Sequence, residues 1–142
     1  MKDLYHPIII KHSKSPSNFI RTKSSENRGV AVEAYNPLCG DEFTLYVYAH
    51  AGQIDKIEFS GYGCAVSKSM TSILTESLAG KDAQQALSLM REVKRYLMTD
   101  ELVTDVPQLF EPFKEVRKYP ERMTCATLSM DALIEYLEST NQ

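Results

Sequence analysis

At Gly61-Tyr62-Gly63 the apolar residues of this 142-residue chain change period, and that change limits what the chain can fold into. Before it lie three strand-like segments, Val30 to Tyr35, Glu42 to His50 and Gln53 to Ser60. In the second, Phe43, Leu45, Val47 and Ala49 alternate with Thr44, Tyr46, Tyr48 and His50, the period of two of a strand. Asn36-Pro37 ends the first strand. Ala51-Gly52 turns the second into the third, so these two form an antiparallel hairpin. Ile54 is out of phase with Ile57, which predicts a bulge or a frayed start there.

After the glycines the period is helical. Cys64 to Leu78 places Met70, Ile73, Leu74 and Leu78 on one side, and Gly80 ends it. Asp82 can cap the next helix, Ala83 to Leu97, with Ala86, Leu87, Met90, Val93 and Leu97 facing inward. Met98 to Asp105 reads as a connector. Pro107 to Arg117 reads as a short helix interrupted at Pro112. Pro120-Glu121 reads as a loop and Thr124 to Glu138 as the last helix. At the other end, residues 3–14 read as a helix and 13–28 as a flexible loop. Strands followed by helices predict an α+β domain, a small three-stranded antiparallel sheet packed against several helices. The length suits one domain over residues 1–142.

Net charge is −3 at pH 7, so nothing points to nucleic acid as a partner. The longest apolar runs, such as Ile8-Ile9-Ile10, fall far short of the ~20 residues of a membrane span. Met1 to His6 lacks the apolar core of a signal peptide. A cytoplasmic protein is expected, a monomer or weak homo-oligomer.

Three cysteines, Cys39, Cys64 and Cys125, stand at expected element boundaries. An odd count in a chain of this length does not suggest a disulfide framework. Cys39 lies in Asn36-Pro37-Leu38-Cys39-Gly40-Asp41, a turn in which a thiolate and a carboxylate two residues apart can face one ion. Cys64 and Cys125 each read as opening a helix, where unpaired N–H groups favour thiolate over thiol. Three sulfurs and one oxygen fit a tetrahedral zinc site. They also fit, less completely, a small iron–sulfur cluster. No Cys-x-x-Cys pair is present, so any shared site must be assembled from three distant segments.

Asn36-Pro37-Leu38-Cys39-Gly40-Asp41, Gly61-Tyr62-Gly63-Cys64-Ala65-Val66-Ser67-Lys68-Ser69-Met70 and Cys125-Ala126-Thr127-Leu128 resemble the three cysteine motifs of the IscU/SufU/NifU N-terminal family. The resemblance covers nearly the whole chain. It implies a role in iron–sulfur cluster assembly, a cysteine desulfurase as partner, and one metal shared by Cys39, Asp41, Cys64 and Cys125. Two departures from IscU point to the SufU subfamily. Thr124 stands where IscU has a histidine before its third cysteine. The stretch from Cys64 to Cys125 is longer, and residues 97–113 are similar to a SufU-type insertion.

The SufU resemblance implies a zinc ion and a SufS-like desulfurase that supplies persulfide sulfur. Cys39, in the loosest of the three segments, is the expected sulfur acceptor. Cys64 and Cys125 are expected fixed ligands. Lys68, one turn after Cys64, is a candidate to pair with thiolate or persulfide. Arg122 matches a SufU arginine thought to contact the desulfurase. The alternative is a scaffold on which a [2Fe–2S] cluster is assembled on Cys39, Cys64 and Cys125 and passed on, with iron in place of zinc. Downstream partners would be a cluster scaffold or apo-proteins. His6, His12 and His50 are expected at the surface.

Overall fold

Alternation in the central strand decides the architecture, because it puts Phe43, Leu45 and Val47 into the core shared with the helices. The computed structural model describes residues 6–21, 29–99 and 106–140. Its sheet has β1 (Val30–Asn36), β2 (Asp41–His50) and β3 (Gln53–Tyr62), antiparallel and in that order. Val32 and Ala34 of β1, Phe43, Leu45 and Val47 of β2, and Ile57 and Phe59 of β3 are buried together. Burying each of the larger ones contributes about 1.5–3 kcal/mol. The expected α+β class and three-stranded sheet are what the structure has.

Ala51 (φ 52°) and Gly52 (φ 78°) make the β2–β3 turn, and both adopt the positive φ that a two-residue hairpin requires. The phase slip at Ile54 is a bulge. Tyr48 pairs with Lys56 and Ala49 with Ile54, so Asp55 is passed over. Both Ile54 and Ile57 are thereby buried. On the outer face, Thr44 and Tyr46 are also buried, although their parity is polar. β2 is the middle strand, and neighbours on either side cover them; Thr44 Oγ1 donates to Glu33 Oε2 at 3.0 Å.

The helices are α1 (Pro7–Lys14), α2 (Ala65–Leu78), α3 (Ala83–Met98), a 3-10 helix (Gln108–Lys118) and α4 (Pro120–Thr140). α2 runs through the interior. Its Ser67, Ser69, Thr71, Ser72 and Thr75 are all buried. A helix buried this widely needs its polar groups paired. Thr71 Oγ1 meets Ser129 Oγ of α4 at 2.6 Å, and Thr75 Oγ1 donates to the Ser72 carbonyl at 2.7 Å. Asp82 caps α3 reciprocally with Gln85, and the five inward residues of α3 are buried as read.

Two expectations are corrected. α4 begins at Pro120, not Thr124, so Pro120-Glu121 is helix rather than loop. Proline lacks an N–H that a first turn would leave unpaired anyway, and its φ suits a helix start. His12 is buried, not superficial, because α1 lies against α2; its Nδ1 is 2.7 Å from Ser72 Oγ. His6 and His50 are exposed.

Of the expected loop 13–28, Ser13 and Lys14 fall within α1, and residues 22–28 lie outside the described residues. Between them, Ser17 N donates to Ser72 Oγ, and Ile20 N to the Phe59 carbonyl at 2.8 Å. Of residues 97–113, Leu97 and Met98 end α3 and Gln108 to Phe113 are in the 3-10 helix; 100–105 lie outside the described residues. No helix among the described residues is long and apolar enough to cross a membrane.

Candidate metal centre

The β1–β2 turn carries the first two residues of the site. Asn36 Oδ1 accepts from Leu38 N at 3.1 Å, and the Asn36 carbonyl accepts from Gly40 N at 2.9 Å. Gly40 takes φ +74°, a left-handed conformation that favours glycine. The turn leaves Cys39 exposed. Asp41, the first residue of β2, is only 1% exposed. Its Oδ1 accepts from Cys64 N at 3.0 Å and from Ser67 Oγ at 3.1 Å. Its Oδ2 is buried and has no hydrogen-bond partner among the described residues. A buried carboxylate oxygen left bare is costly unless a cation or a donor meets it.

Cys64 is the N-cap of α2, as its sequence context predicts. Its Sγ accepts from Ser67 N at 3.5 Å and donates to Ser67 Oγ at 3.6 Å. Cys125 differs from expectation. With α4 starting at Pro120, it lies inside the helix, not at its mouth, and is 1% exposed. Burial pushes its thiol pKa up, and the charges of Cys64 and Asp41 push it the same way. The cysteine expected to be a thiolate by virtue of a helix N-terminus therefore needs a cation to become one.

Ligand atoms of Cys39, Asp41 and Cys125 all lie within 4.8 Å of one another. Cys64 is not in this group, being turned toward the head of its own helix. It adjoins the group, since its thiol interacts with that of Cys125. Two sulfurs and one carboxylate oxygen, with a third sulfur beside them, fit zinc, and the bare Oδ2 of Asp41 is the kind of atom an ion would satisfy. The thiol-rich set equally suits iron or a cluster.

Arg122, in the first turn of α4, reaches both Cys64 and Cys125. Burial acts to lower its pKa, but the two cysteines outweigh that and raise it. Its place is thus beside the sulfurs themselves. Lys68 is placed elsewhere: its Nζ lies 4.8 Å above the Phe19 ring. Reading by residue type missed two members of the neighbourhood. Ser67 bonds both Asp41 and Cys64. Asn36 is buried, shapes the turn through Oδ1 and leaves Nδ2 without a partner among the described residues. The signals were a serine three residues after a helix-capping cysteine, and an asparagine before the proline of a turn.

Comparison with known proteins bears on the family and the fold. Residues 4–137 match the model of the NifU-like N terminal domain. The zinc-dependent sulfurtransferase SufU of Bacillus subtilis is 34% identical over 132 residues, covering 92% of this chain and 86% of that protein. The iron–sulfur cluster assembly scaffold protein IscU of Streptococcus pyogenes is 31% identical, covering 97% and 85%. Among solved structures, an iron–sulfur cluster assembly scaffold protein for the SUF system, FiSufU of Fervidobacterium islandicum, superimposes with a TM-score of 0.78 at 30% identity, covering 92% of this chain and 93% of that one.

Proposed function

Since this chain belongs to the NifU-like N-terminal domain family of iron–sulfur cluster assembly proteins, we propose that it is a zinc-dependent sulfur acceptor serving a cysteine desulfurase. One observation carries the reading. An exposed thiol, Cys39, stands in a turn within 4.8 Å of a buried carboxylate and a buried thiol. The buried pair can keep an ion while the exposed thiol leaves it.

Cys39, Asp41 and Cys125 would hold the zinc, with Cys64 adjoining. When bound, the ion supplies the positive charge that keeps these thiols deprotonated. Arg122 adds a second positive charge against Cys64 and Cys125. The thiolate of Cys39 attacks the terminal sulfur of the desulfurase persulfide. A new S–S bond forms on Cys39, the donor's S–S bond breaks, and the donor cysteine leaves as thiolate. No electron is gained or lost. Leu38, 92% exposed beside Cys39, and Tyr35 and Tyr62 near the same end of the sheet give a docking desulfurase apolar surface to cover. The similarity of residues 97–113 to a SufU-type insertion, read from the sequence, supports the assignment to that branch. The sulfur would pass on to a cluster scaffold or an apo-protein.

The second reading is a [2Fe–2S] scaffold, favoured by the 31% identity to IscU across 97% of the chain. One series of experiments separates them. Protein purified without chelator is analysed for metal and added to a SufS-type desulfurase. One zinc per chain and stimulation at least tenfold, abolished by Cys39→Ala, is the expected result. Zinc-free protein that gives no stimulation, but after anaerobic reconstitution passes a stable cluster to an apo-ferredoxin, would replace it with the scaffold.

A further inference from the structure

Ser67 is not among the residues that can ligate through sulfur or carboxylate, yet it touches two that can. It is 1% exposed in the first turn of α2. Its hydroxyl is 3.1 Å from Asp41 Oδ1 and 3.2 Å from the Cys64 carbonyl, and Cys64 Sγ donates to it at 3.6 Å. Its N–H donates to the same sulfur. Gly63 closes the other side: a Cβ there would fall 2.4 Å from Ser67 Oγ and 2.9 Å from Asp41 Oδ1. A residue without a Cβ at this position thus leaves the hydroxyl its place.

A carboxylate gripped through one oxygen by both an N–H and an O–H cannot turn without breaking two bonds. Cys64 N supplies the first and Ser67 Oγ the second. That grip explains why Oδ2, and not Oδ1, is the bare atom. We propose that Ser67 is a positioning residue of the metal centre: its hydroxyl fixes Asp41 so that Oδ2 is presented as a ligand, while its N–H holds the Cys64 sulfur. One residue thus ties Asp41, at the start of β2, to the head of α2. This rests on the metal-binding reading above, and adds to it a residue that would tune the ion without touching it.

The test measures zinc affinity by competition with a chromogenic chelator, and records the absorption spectrum of the cobalt(II)-substituted protein. Ser67→Ala is expected to weaken zinc about 10–100-fold and to shift the cobalt d–d bands. Ser69→Ala is the control. It removes another buried hydroxyl from α2, one that bonds back to the Ala65 and Val66 carbonyls, and should bind zinc like the parent. If Ser67→Ala fails to fold, Ser67→Thr and Ser67→Val take its place, being equal in shape and different only in the hydroxyl. Thr should then bind at least tenfold more tightly than Val. Zinc affinity within twofold of the parent with an unchanged cobalt spectrum, equal loss in Ser69→Ala, or equal binding by the Thr and Val variants would overturn the role of Ser67 alone. A parent protein that binds neither zinc nor cobalt would overturn the metal centre itself, and this role with it.

Discussion

Gly63 lacks a side chain for a packing reason. Its φ is not in the left-handed region, so conformation alone would admit alanine. Space would not: a Cβ would lie 2.4 Å from Ser67 Oγ, 2.7 Å from Phe43 Cζ and 2.9 Å from Asp41 Oδ1. Phe43 is fully buried and cannot retreat, so the Ser67–Asp41 pair must yield. Gly63→Ala should cost about 1–3 kcal/mol, the usual penalty of overpacking, read as a lower urea midpoint at unchanged m-value. Zinc retention should fall with it, because the displaced atom anchors the proposed ligand Asp41. An unaltered midpoint would show that the pair can move freely and that the glycine has another purpose. The neighbouring Gly61-Tyr62-Gly63 break was legible from sequence as the end of a strand. The closeness of Ser67 and Asp41 behind it was not, because that depends on Phe43 filling the space beneath.

α1 docks on α2 through a histidine, and this makes their contact pH-dependent. Burial lowers the pKa of His12; Glu76 opposes this by raising it, and Lys11 lowers it further. The unfolded chain, with an ordinary pKa of about 6.5, therefore takes up a proton at higher pH than the folded one. The stability this contact contributes is complete above that value and is lost as the pH falls through it toward the lower folded pKa. Urea midpoints of the metal-free protein at pH 7.5 and 5.5 should drop more for the parent than for His12→Gln. Equal drops would mean that His12 stays neutral-equivalent in both states and that carboxylates set the whole dependence. α1 itself was readable from its spacing, whereas the burial of His12 was not. It depends on Ser72, sixty positions away, presenting a hydroxyl at 2.7 Å. α4 shows the opposite kind of miss. Its apolar residues are visible in the sequence, but Pro120, which reads as loop, is the start of the helix. Moving that boundary carries Cys125 from a helix mouth, where a thiolate is favoured, into the interior, where it is not.

Three segments far apart in the chain meet at the candidate site: the β1–β2 turn, the head of α2 and the interior of α4. The family resemblance carried by the cysteine contexts and their order implies such a meeting, which the spacing by itself does not. What they could not convey was its inequality, with Cys39 exposed, Cys125 buried and Cys64 turned aside onto Ser67. That inequality has a thermodynamic consequence. α2 and α4 are already joined, as the Thr71–Ser129 contact shows, so an ion adds little between them. The turn bearing Cys39 and Asp41 is the part it would tie down. An ion bound by the folded protein and not by the unfolded chain stabilises the fold by about 2.7 kcal/mol at a hundredfold excess over its dissociation constant. Adding zinc to metal-free protein should therefore raise the melting temperature by several degrees, and a chelator should reverse the gain. Cys39→Ala should lose part of the increment, because the turn keeps only Asp41. Cys125→Ala should lose nearly all of it, since it removes the sulfur by which α4 takes part. A melting temperature indifferent to zinc in the parent protein would mean that the three segments converge for packing alone.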